Sequence, residues 1–389
     1  MARTIGVVTV ARSDYGHLVP LLEQIRDAPD LTLRLFVTGA HLAARLGATV
    51  RAIEADGWPI AGRVEMTGET DAPVDVAVAV GLGAAGLARA FTNQRPDLLV
   101  VLGDRLEMLA AAVAALPLAI PVAHLHGGEV TEGAVDEQAR HAITKLSHLH
   151  FPAAEPYVRR ILQMGEEPWR VHCSGAPGLD RLARLAVLSR EELARRIGLP
   201  LRRPTLLVTF HPVTLEAEDT AVHVDELAAA LEKIAGDAIV TYPGADASHE
   251  TIIRRLEVLA AARPGTRLVA SLGDDVYCSL LREADVMVGN SSSGLIEAPS
   301  FALPVVNIGA RQRGRLRATN VIDVAPTRHE IVKGIERALQ PEFRRGLTGL
   351  ANPYGDGRAA PRIVQVLREI ELGRRLLQKR FVDLPPGPA

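Results

Sequence analysis

Short apolar runs alternate with segments of helical periodicity along most of the chain. In the first half they predict strands at residues 5–10, 33–37, 98–102, 122–125, 149–151 and 171–173. In the second half they predict strands at residues 206–210, 238–242, 268–270, 286–288, 305–308 and 321–324. Helical spacing lies between the runs, as in residues 18–26, 106–115 and 136–146. This alternation predicts doubly wound, parallel α/β sheets.

The alternation pauses at residues 185–203, where a helical stretch is followed by Pro200 and Pro204. A chain of 389 residues is longer than one hydrophobic core usually supports. We therefore expect two Rossmann-like domains, at residues 1–185 and 186–360, and a further helix at 361–380. Ligands of open α/β sheets bind at the carboxyl ends of the strands, so two such domains facing each other would share a cleft.

Composition and charge narrow the classes of function. The net charge is only -2, which gives no indication of a nucleic-acid or membrane partner. The two cysteines, Cys173 and Cys278, form no metal-binding or disulfide pattern. The apolar start of the chain ends at Arg12 and lacks the features of a signal peptide. No run is expected to span a bilayer, and the predicted location is the cytoplasm.

A turn of small residues, from Gly289 to Gly294, directly follows a predicted strand and precedes an apolar-periodic segment at 295–301. The sequence of this turn is GNSSSG, and it includes Ser291, Ser292 and Ser293. Exposed N–H groups at a helix start bind anions, and the serine hydroxyls add donors. Glu297 could accept hydrogen bonds from a ribose. The alternative is a plain helix cap, since serine is a preferred capping residue. The lysine of an ATP-binding loop is absent.

Two acidic residues follow neighbouring predicted strands. Asp104 ends the run LLVVLGD, and Glu129 follows PVAHLHGG. In a parallel sheet both would lie at the same edge, where paired carboxylates can divide acid and base roles. Asp104 could instead cap the next helix. Asp136 and Arg140 form an i,i+4 pair on the helix after Glu129, either as a surface pair or to hold the arginine for a substrate.

Basic and imidazole side chains also follow strands. Arg12 follows the first strand, Arg311 and Arg313 follow the run VVNI, and His211 follows TLLVTF. Arginine is suited to binding diphosphate oxygens. His124 and His126 would face the same side of one strand, but no further ligand completes a metal site.

Several of these stretches together resemble the hydrolysing UDP-N-acetylglucosamine 2-epimerases. The specific segment is GGEVTEG followed by DEQARHAITKLSH, at residues 127–148. The other matching stretches begin near residue 6 and end near residue 315: GVVTVARSDYGHLVPLL, VVLGDRLEMLAAA, TFHPVT and VGNSSSGLIEAPSFALPVVNIGARQRGR.

The resemblance implies a glycosyltransferase-B fold whose tail helix packs on the first domain. It implies that Asp104, Glu129 and Asp136 are catalytic acids supported by Arg140, with His211 facing the sugar. It assigns the binding of UDP to a second set: Arg12, Ser291, Ser292, Ser293, Gly294, Glu297 and Arg313. Neither a metal nor a nicotinamide cofactor is implied, and a homo-oligomer is expected.

The implied reaction converts UDP-N-acetylglucosamine and water into N-acetylmannosamine and UDP through a glycal. Relatives acting on a UDP-2,4-diacetamido-2,4,6-trideoxy sugar are the alternative within the same class. A non-hydrolysing epimerase is disfavoured by the HGGEVTEG stretch. A glycosyltransferase of the same fold and a non-catalytic sugar-nucleotide-binding module complete the alternatives.

Overall fold

The computed structural model describes residues 2–44, 48–66, 68, 70, 72–132, 135–185, 187–213, 218–243, 249–270 and 272–383. Within these residues the contacts divide the chain into two units. Unit 1 comprises residues 1–129, 135–181 and 354–389, and unit 2 comprises residues 130–134 and 182–353. The division at Arg181 lies slightly before the expected boundary at 185/186. The return to unit 1 at Tyr354 precedes the expected tail helix.

Unit 1 is a six-stranded parallel sheet with helices between its strands. Its strands are β1 (Arg3–Thr9), β2 (Leu31–Thr38), β3 (Ile60–Val64), β4 (Leu98–Leu102), β5 (Val122–Leu125) and β6 (Leu149–Phe151). Its helices are α1 (Arg12–Asp27), α2 (Val50–Ala55), α3 (Pro73–Asn93), α4 (Leu106–Ala115), α5 (Asp136–Leu146), α6 (Glu155–Gln163) and α7 (Pro177–Leu182), the last of which ends at the unit boundary. The tail contributes two more helices, Ala359–Glu369 and Arg374–Leu377.

Unit 2 repeats the same architecture. After α8 (Arg190–Ile197), its strands are β7 (Thr205–Thr209), β8 (Asp237–Thr241), β9 (Thr266–Val269), β10 (Val286–Gly289), β11 (Val305–Ile308) and β12 (Val321–Val324). Its other helices are α9 (Thr220–Leu231), α10 (His249–Ala262), α11 (Asp274–Glu283), α12 (Ser293–Ile296), α13 (Arg328–Leu339) and α14 (Pro341–Arg345). The two tail helices of unit 1 are therefore α15 (Ala359–Glu369) and α16 (Arg374–Leu377).

Both sheets have the same strand order. It is β3-β2-β1-β4-β5-β6 in unit 1 and, read from the opposite edge, β9-β8-β7-β10-β11-β12 in unit 2. This is the Rossmann order, in which the winding reverses between the first and fourth strands of each sheet. The reversal points therefore lie at β1/β4 and β7/β10, where ligands of doubly wound sheets bind. The predicted α/β class with two Rossmann-like sheets is confirmed.

Burial on both faces explains why β7 lies at the centre of its sheet. In β7, Leu206 and Val208 pack into one hydrophobic cluster, whereas Leu207 packs into a second cluster with Met287 of β10. A central strand covered by helices on both faces has no polar side, so it appears in sequence as a continuous apolar run. This is why the central strands were predictable from apolar runs alone.

Three local expectations differ from the structure. Residues 171–173 form only an isolated bridge, from Val171 to His150, because the chain turns away after one pairing. Strand β3 was not predicted, since it is an edge strand whose sequence IAGRV is mostly half-buried. The predicted tail helix at 361–380 is broken into α15 and α16 around Gly373, which adopts φ of 147°.

Helix α3 also departs from the expectation that no run could span a bilayer. It has 21 residues, and its most apolar window has a mean hydropathy of 1.6, so by length and composition alone it could cross a membrane. Only 22% of that window is buried within the chain. The helix nevertheless packs against α4 and β3 of unit 1. Such apolar helices also occur in proteins that are not membrane-embedded, so this finding is weak evidence for a membrane span.

Asp180 ties the start of α15 to the rest of unit 1. Its buried carboxylate accepts hydrogen bonds from the backbone N–H groups of Ala359 (2.8 Å) and Ala360 (2.7 Å). These two N–H groups belong to the first turn of the helix, where no intrahelical acceptor is available. The side chain therefore caps a helix from a distant part of the sequence.

We expect Asp180→Ala to lower the free energy of unfolding by about 1 to 2 kcal/mol, because two buried donors of α15 lose their acceptor. Urea denaturation would measure the loss. The matched control is Asp356→Ala, which removes an exposed carboxylate paired with Arg362 and should cost at most about 0.5 kcal/mol. Equal losses in the two variants would contradict a special role for Asp180.

Candidate active site

Asp104 lies at the reversal point of the unit 1 sheet, two residues after β4 ends at Leu102. Helix α4 begins with Arg105 at its N-cap position, which makes no side-chain capping bond. Asp104 therefore does not cap this helix, which was the alternative to a role in chemistry. Its carboxylate instead accepts a hydrogen bond from Nη2 of Arg140, in an ion pair.

Arg140 connects the segments that carry the predicted acids. Its buried guanidinium donates through Nη1 to the backbone carbonyl of Glu129 (2.9 Å) and to Oε2 of Glu137 (2.6 Å), and through Nη2 to Asp104. Burial opposes its charge, but the carboxylates of Asp104, Glu129 and Glu137 more than compensate and raise the pKa of Arg140. One arginine thus holds the end of β4, the loop after β5 and helix α5 together.

The expected ion pair between Asp136 and Arg140 is replaced by the pair between Glu137 and Arg140. The guanidinium points towards the end of β4, where the Asp104 carboxylate lies. Asp136, the first residue of α5, interacts with Arg140 electrostatically. Burial first, and then the Asp104 carboxylate, raise the pKa of Asp136 above its ordinary value. A carboxyl group that retains its proton more readily suits the role of a general acid.

Glu129 is held by His126 in the loop after β5. Oε1 of the nearly buried Glu129 side chain lies 2.5 Å from Nδ1 of His126. The strand ends at Leu125, and His126 adopts the left-handed conformation with φ of 61°, which is uncommon for a residue with a Cβ. Strain of this kind persists where surrounding contacts enforce it, often at functional sites. His17 lies behind His126, with ring centroids 6.4 Å apart.

The left-handed turn also separates His126 from His124, which were expected to face the same side. His124 lies within β5, and its ring nitrogens are 3.1 Å from Oγ1 of Thr144 and 2.7 Å from the carbonyl of Gly103. Both of its nitrogens are therefore engaged by protein groups. Among the described residues, no three side chains of the metal-ligating types cluster as a candidate metal site.

Sequence reasoning missed Asp14, in the first turn of α1, the helix that follows β1. Its buried carboxylate accepts hydrogen bonds from the backbone N–H groups of Val10 (3.0 Å) and Ala11 (2.7 Å) and from the hydroxyl of Thr9 (2.6 Å). Burial raises its pKa to about 6 despite these donors. Arg105 interacts electrostatically with both Asp14 and Asp136, which links the ends of β1 and β4. The signal in the sequence was an acid in the first turn of the helix that follows the first strand.

The hydrogen bond between His126 and Glu129 positions the Glu129 carboxylate. We therefore expect His126→Gly to lower kcat about tenfold to a hundredfold. Glycine accepts the left-handed φ but offers no donor, and a hydrogen bond to a charged group contributes about 1.5 to 3 kcal/mol. His126→Asn is the control, because asparagine tolerates the same φ and restores an N–H donor. Steady-state kinetics should show KM changed little. Identical kcat values for the two variants would indicate that only the backbone conformation matters.

In unit 2, Asn290 organises the reversal point between β7 and β10. Its side chain accepts from the backbone N–H of His211 (2.7 Å) and donates to the carbonyl of the same residue (2.9 Å). Its own carbonyl accepts from Gln312 (2.8 Å) and Arg311 (3.2 Å). The predicted residue His211 is thereby fixed beside the serine-rich turn. Burial, with the nearby Arg311, lowers the pKa of His211 to about 3, so its imidazole is neutral at physiological pH.

The serine-rich turn is built for close backbone approach. A Cβ at Gly289 would lie 1.9 Å from the carbonyl oxygen of Thr209, and one at Gly294 would lie 2.8 Å from Val305. Both positions therefore require glycine. Ser291 and Ser292 remain partly exposed, whereas Ser293 is buried and its hydroxyl accepts from Tyr277 (2.6 Å).

The helix expected at residues 295–301 is shorter than predicted. The structure has a single α-helical turn, α12, followed by a 3-10 turn at Ala298–Phe301, because Pro299 cannot continue the α-helical bonding. The dipole of so short a helix is weak, so the partly exposed hydroxyls of Ser291 and Ser292 are the donors that this turn offers to an anion. Glu297 lies at the junction, where burial raises its pKa. Arg313 is exposed, two residues beyond the Arg311 that contacts Asn290.

The predicted site residues thus form one group in each unit. Asp104, Glu129, Asp136 and Arg140 lie together in unit 1, which also contains Arg12 at the start of α1. The second group, in unit 2, comprises His211, Ser291, Ser292, Ser293, Gly294, Glu297 and Arg313. Each group lies at the reversal point of its own sheet or directly beside it, except Arg313 in the loop after β11.

Two Rossmann-ordered sheets define an α/β protein of the glycosyltransferase-B type. A crystal structure of a UDP-GlcNAc 2-epimerase from Neisseria meningitidis, bound to UDP-GlcNAc, has this fold with a TM-score of 0.80. The two chains share 18% identity, and the match covers 94% of this chain and 100% of that one. At this level of identity the likeness concerns the fold.

The family model described as UDP-N-acetylglucosamine 2-epimerase matches residues 23–368. A UDP-N,N'-diacetylbacillosamine 2-epimerase (hydrolyzing) from Legionella pneumophila is 38% identical over 97% of this chain and 99% of its own length. A UDP-N-acetylglucosamine 2-epimerase from Neisseria meningitidis is 34% identical over 98% and 99%, respectively. The chain belongs to the UDP-N-acetylglucosamine 2-epimerase family, in its hydrolysing branch.

Proposed function

We propose that this enzyme eliminates UDP from a UDP-2-acetamido sugar and adds water to the resulting glycal, releasing the 2-epimer as a free sugar. The observation that carries the proposal is the convergence of Asp104, Glu129 and helix α5 on the buried guanidinium of Arg140. Asp104, Glu129 and Asp136, the last with a raised pKa, are the candidates for the base and the acid that the reaction needs.

The elimination breaks two bonds. As the C1–O bond to UDP breaks, its electron pair leaves with the diphosphate, and positive charge develops at C1. This makes the C2 hydrogen acidic enough for a carboxylate to accept it, and the C1–C2 double bond of the glycal forms. Asp104 and Glu129 are the candidates for this base. Asp104 is ion-paired with Arg140, and Glu129 is oriented by His126.

The second step restores two bonds. Water adds its oxygen to C1, and a proton is delivered to C2 from the face opposite to the one that was deprotonated. We assign Asp136 to this proton delivery, because burial and the Asp104 carboxylate raise its pKa above the ordinary value. The net change consumes one water, inverts C2 and releases UDP.

The residues of unit 2 are proposed to hold the nucleotide. The hydroxyls of Ser291 and Ser292 are partly exposed, and the glycines of the turn let its backbone pack closely against β7 and β11. We propose that these hydroxyls bind the diphosphate. Glu297 is proposed to accept hydrogen bonds from the ribose. Arg12 and Arg313 would add positive charge for the departing diphosphate, which lowers the barrier for its release. The neutral His211 is proposed to contact the sugar without carrying charge.

For the sugar, we place UDP-N,N'-diacetylbacillosamine first, which is the 2,4-diacetamido-2,4,6-trideoxy alternative from the sequence. The Legionella relative at 38% identity bears this substrate in its name. UDP-N-acetylglucosamine, the first expectation from the sequence, is the second candidate, because the Neisseria relative at 34% identity is named for it. We also propose that the enzyme works in the cytoplasm.

The test is proton NMR of the products in D2O, with each UDP-sugar supplied separately and without added metal or NAD. Release of UDP together with the 2-epimer carrying deuterium at C2 is the expected result. UDP release with the original sugar configuration would mean simple hydrolysis and would refute the epimerase proposal. The ratio of kcat/KM for the two sugars would establish which one the enzyme prefers.

A further inference from the structure

Tyr277, on helix α11, directs its phenol hydroxyl to the serine-rich turn. Its ring packs against the hydrophobic cluster that contains Leu280 and Leu303. The hydroxyl donates a 2.6 Å hydrogen bond to Oγ of Ser293. Burial and then the nearby Glu297 carboxylate raise the pKa of this phenol, so it keeps its proton and acts as a donor. A phenylalanine ring would supply the same packing, so the hydroxyl makes its own contribution at Ser293.

Ser293 in turn contacts Glu297, which lies one helical turn later. The backbone N–H of Glu297 donates to the carbonyl of Ser293 at 2.9 Å. Burial raises the pKa of Glu297, whereas a hydrogen bond with the Ser293 side chain lowers it. A hydrogen bond lowers the pKa of a carboxyl group when it is donated to the carboxylate, so the Ser293 hydroxyl is the donor. A hydroxyl has one hydrogen, and the oxygen of Ser293 accepts from Tyr277 at the same time.

Tyr277, Ser293 and Glu297 thus form a hydroxyl relay within unit 2. This relay changes the role expected for Ser293, which the sequence grouped with Ser291 and Ser292 as a ligand of UDP. The hydroxyls of Ser291 and Ser292 are partly exposed, whereas Ser293 is buried. The single hydroxyl hydrogen of Ser293 is used at Glu297, so donating it to a phosphate would deprive the carboxylate of this bond. Ser293 is therefore placed to serve Glu297 instead of the diphosphate.

The hydroxyl relay ends at a carboxylate that has acceptor capacity left. Two carboxylate oxygens offer about four lone-pair sites, and Ser293 uses one of them. Glu297 is only partly buried, which leaves it accessible to a ligand. The vicinal hydroxyls of a ribose offer two donors, and a carboxylate already held in one orientation loses less conformational entropy when it binds them. Positioning of Glu297 thus raises the affinity for a ribose but not for a sugar that lacks these hydroxyls.

We propose that Tyr277 and Ser293 are positioning residues that hold the Glu297 carboxylate for the ribose hydroxyls and thereby select ribonucleotide-linked sugars over deoxyribonucleotide-linked ones. This inference rests on the proposed function of unit 2 as the nucleotide site. A site built to accept hydrogen bonds from hydroxyls rejects an analogue without them, because its own polar groups then lose their partners. Deoxyribonucleoside diphosphate sugars should therefore be poor substrates even when they carry the same hexose.

Calorimetric titration with UDP and with 2′,3′-dideoxy-UDP measures this selectivity. We expect the wild type to bind UDP at least about tenfold more tightly, because the dideoxy ligand offers Glu297 neither hydroxyl. Tyr277→Phe should weaken UDP binding about threefold to tenfold, and Ser293→Ala about tenfold, while the dideoxy affinity stays within about twofold. The matched control is Tyr157→Phe, which removes a buried tyrosine hydroxyl of unit 1, 3.0 Å from that of Tyr354, and should change neither affinity.

A double-mutant cycle separates positioning from a purely structural effect. In Glu297→Ala the two ligands should bind within about threefold of each other, because the carboxylate that distinguishes them is gone. Adding Tyr277→Phe to this variant should then change the UDP affinity by less than about twofold. With the UDP-sugar, Tyr277→Phe alone should raise KM and leave kcat within about twofold, since the ribose contact is the same in the ground and transition states. Thermal melting of each variant would show that the chain remains folded.

The outcomes distinguish this inference from the proposed reaction. Equal affinity of the wild type for UDP and 2′,3′-dideoxy-UDP would overturn the inference, as would a Tyr277→Phe variant that weakens both ligands equally or neither of them. A wild type that binds neither ligand would overturn the nucleotide site together with the inference. Selectivity for UDP that depends on Tyr277 in a protein without epimerase turnover would support the inference and refute the proposed reaction.

Discussion

Replacing Arg140 by methionine is expected to lower the free energy of unfolding by about 3 kcal/mol and to abolish turnover. Only 1% of the Arg140 side chain is exposed, and removing it leaves three acceptors without their donor. Breaking a buried ion pair usually costs about 3 to 5 kcal/mol. The lower end applies here because Asp104 and Glu137 keep 27% and 25% of their side-chain surface exposed, where water can partly replace the arginine.

Urea denaturation of the two proteins measures this difference, and the control is Arg345→Met. Arg345 pairs with Glu342 at the same i,i+3 spacing and a similar distance, 2.7 Å, but both side chains are about 70% exposed. Its loss should therefore cost at most about 0.5 kcal/mol. Arg140→Lys should recover part of the stability but little activity, because one ammonium cannot reproduce the guanidinium geometry. A loss as small as that of the control would contradict the central role of Arg140.

The same residue shows what the sequence could predict about the site. Parallel strand order alone places the residues after β4 and β5 at one edge, so the proximity of Asp104 and Glu129 followed from the apolar runs. The ion-pair partners of Arg140 could not be predicted in this way. The i,i+4 spacing favoured Asp136, but the guanidinium is buried and pairs with Glu137 and Asp104. Spacing along a helix gives the candidate pairs, and tertiary burial selects among them.

His126 illustrates a second limit. Alternation along a strand predicted that it would face the same side as His124, and this held only while the strand continued. The chain leaves the strand after Leu125 and enters a left-handed conformation at His126. Histidine adopts positive φ more often than most residues with a Cβ, but such cases are too few to predict one from sequence. The consequence is functional, since the turn directs His126 towards Glu129 instead of towards a shared site with His124.

Helix α3 illustrates a third limit, because its apolar sequence does not show how much of it is buried. A helix that is apolar on all sides is usually buried, and by that rule the alanines, glycines and valines of α3 would indicate a buried helix. The structure buries only one face, and this leaves Gly81 and its neighbours exposed. The apolar sequence of α3 indicates that this helix requires apolar surroundings. Whether those come from the same chain is visible only once the packing is known.

Asp104→Asn is expected to reduce kcat about a thousandfold while the affinity for UDP stays within about twofold of the wild type. Asparagine matches aspartate in size but cannot accept the C2 proton, and losing a general base typically costs 10²- to 10⁴-fold in rate. UDP affinity is expected to persist because the proposed nucleotide-binding residues, apart from Arg12, belong to unit 2. Release of UDP measures the rate, and calorimetric titration with UDP measures the affinity.

The control for this variant is Asp97→Asn, at the opposite end of the same strand. Asp97 precedes β4, is exposed, and accepts a hydrogen bond from the backbone N–H of Thr4 at 2.7 Å. Because the amino ends of the strands lie away from the reversal-point edge, this change should leave kcat within about twofold. If Asp104→Asn retained more than about a tenth of the wild-type rate, Asp104 would be a positioning residue for Arg140, and Glu129 would become the candidate base. The rate of UDP release would then be measured in Glu129→Gln, where loss of turnover with UDP affinity retained would identify that carboxylate as the proton acceptor.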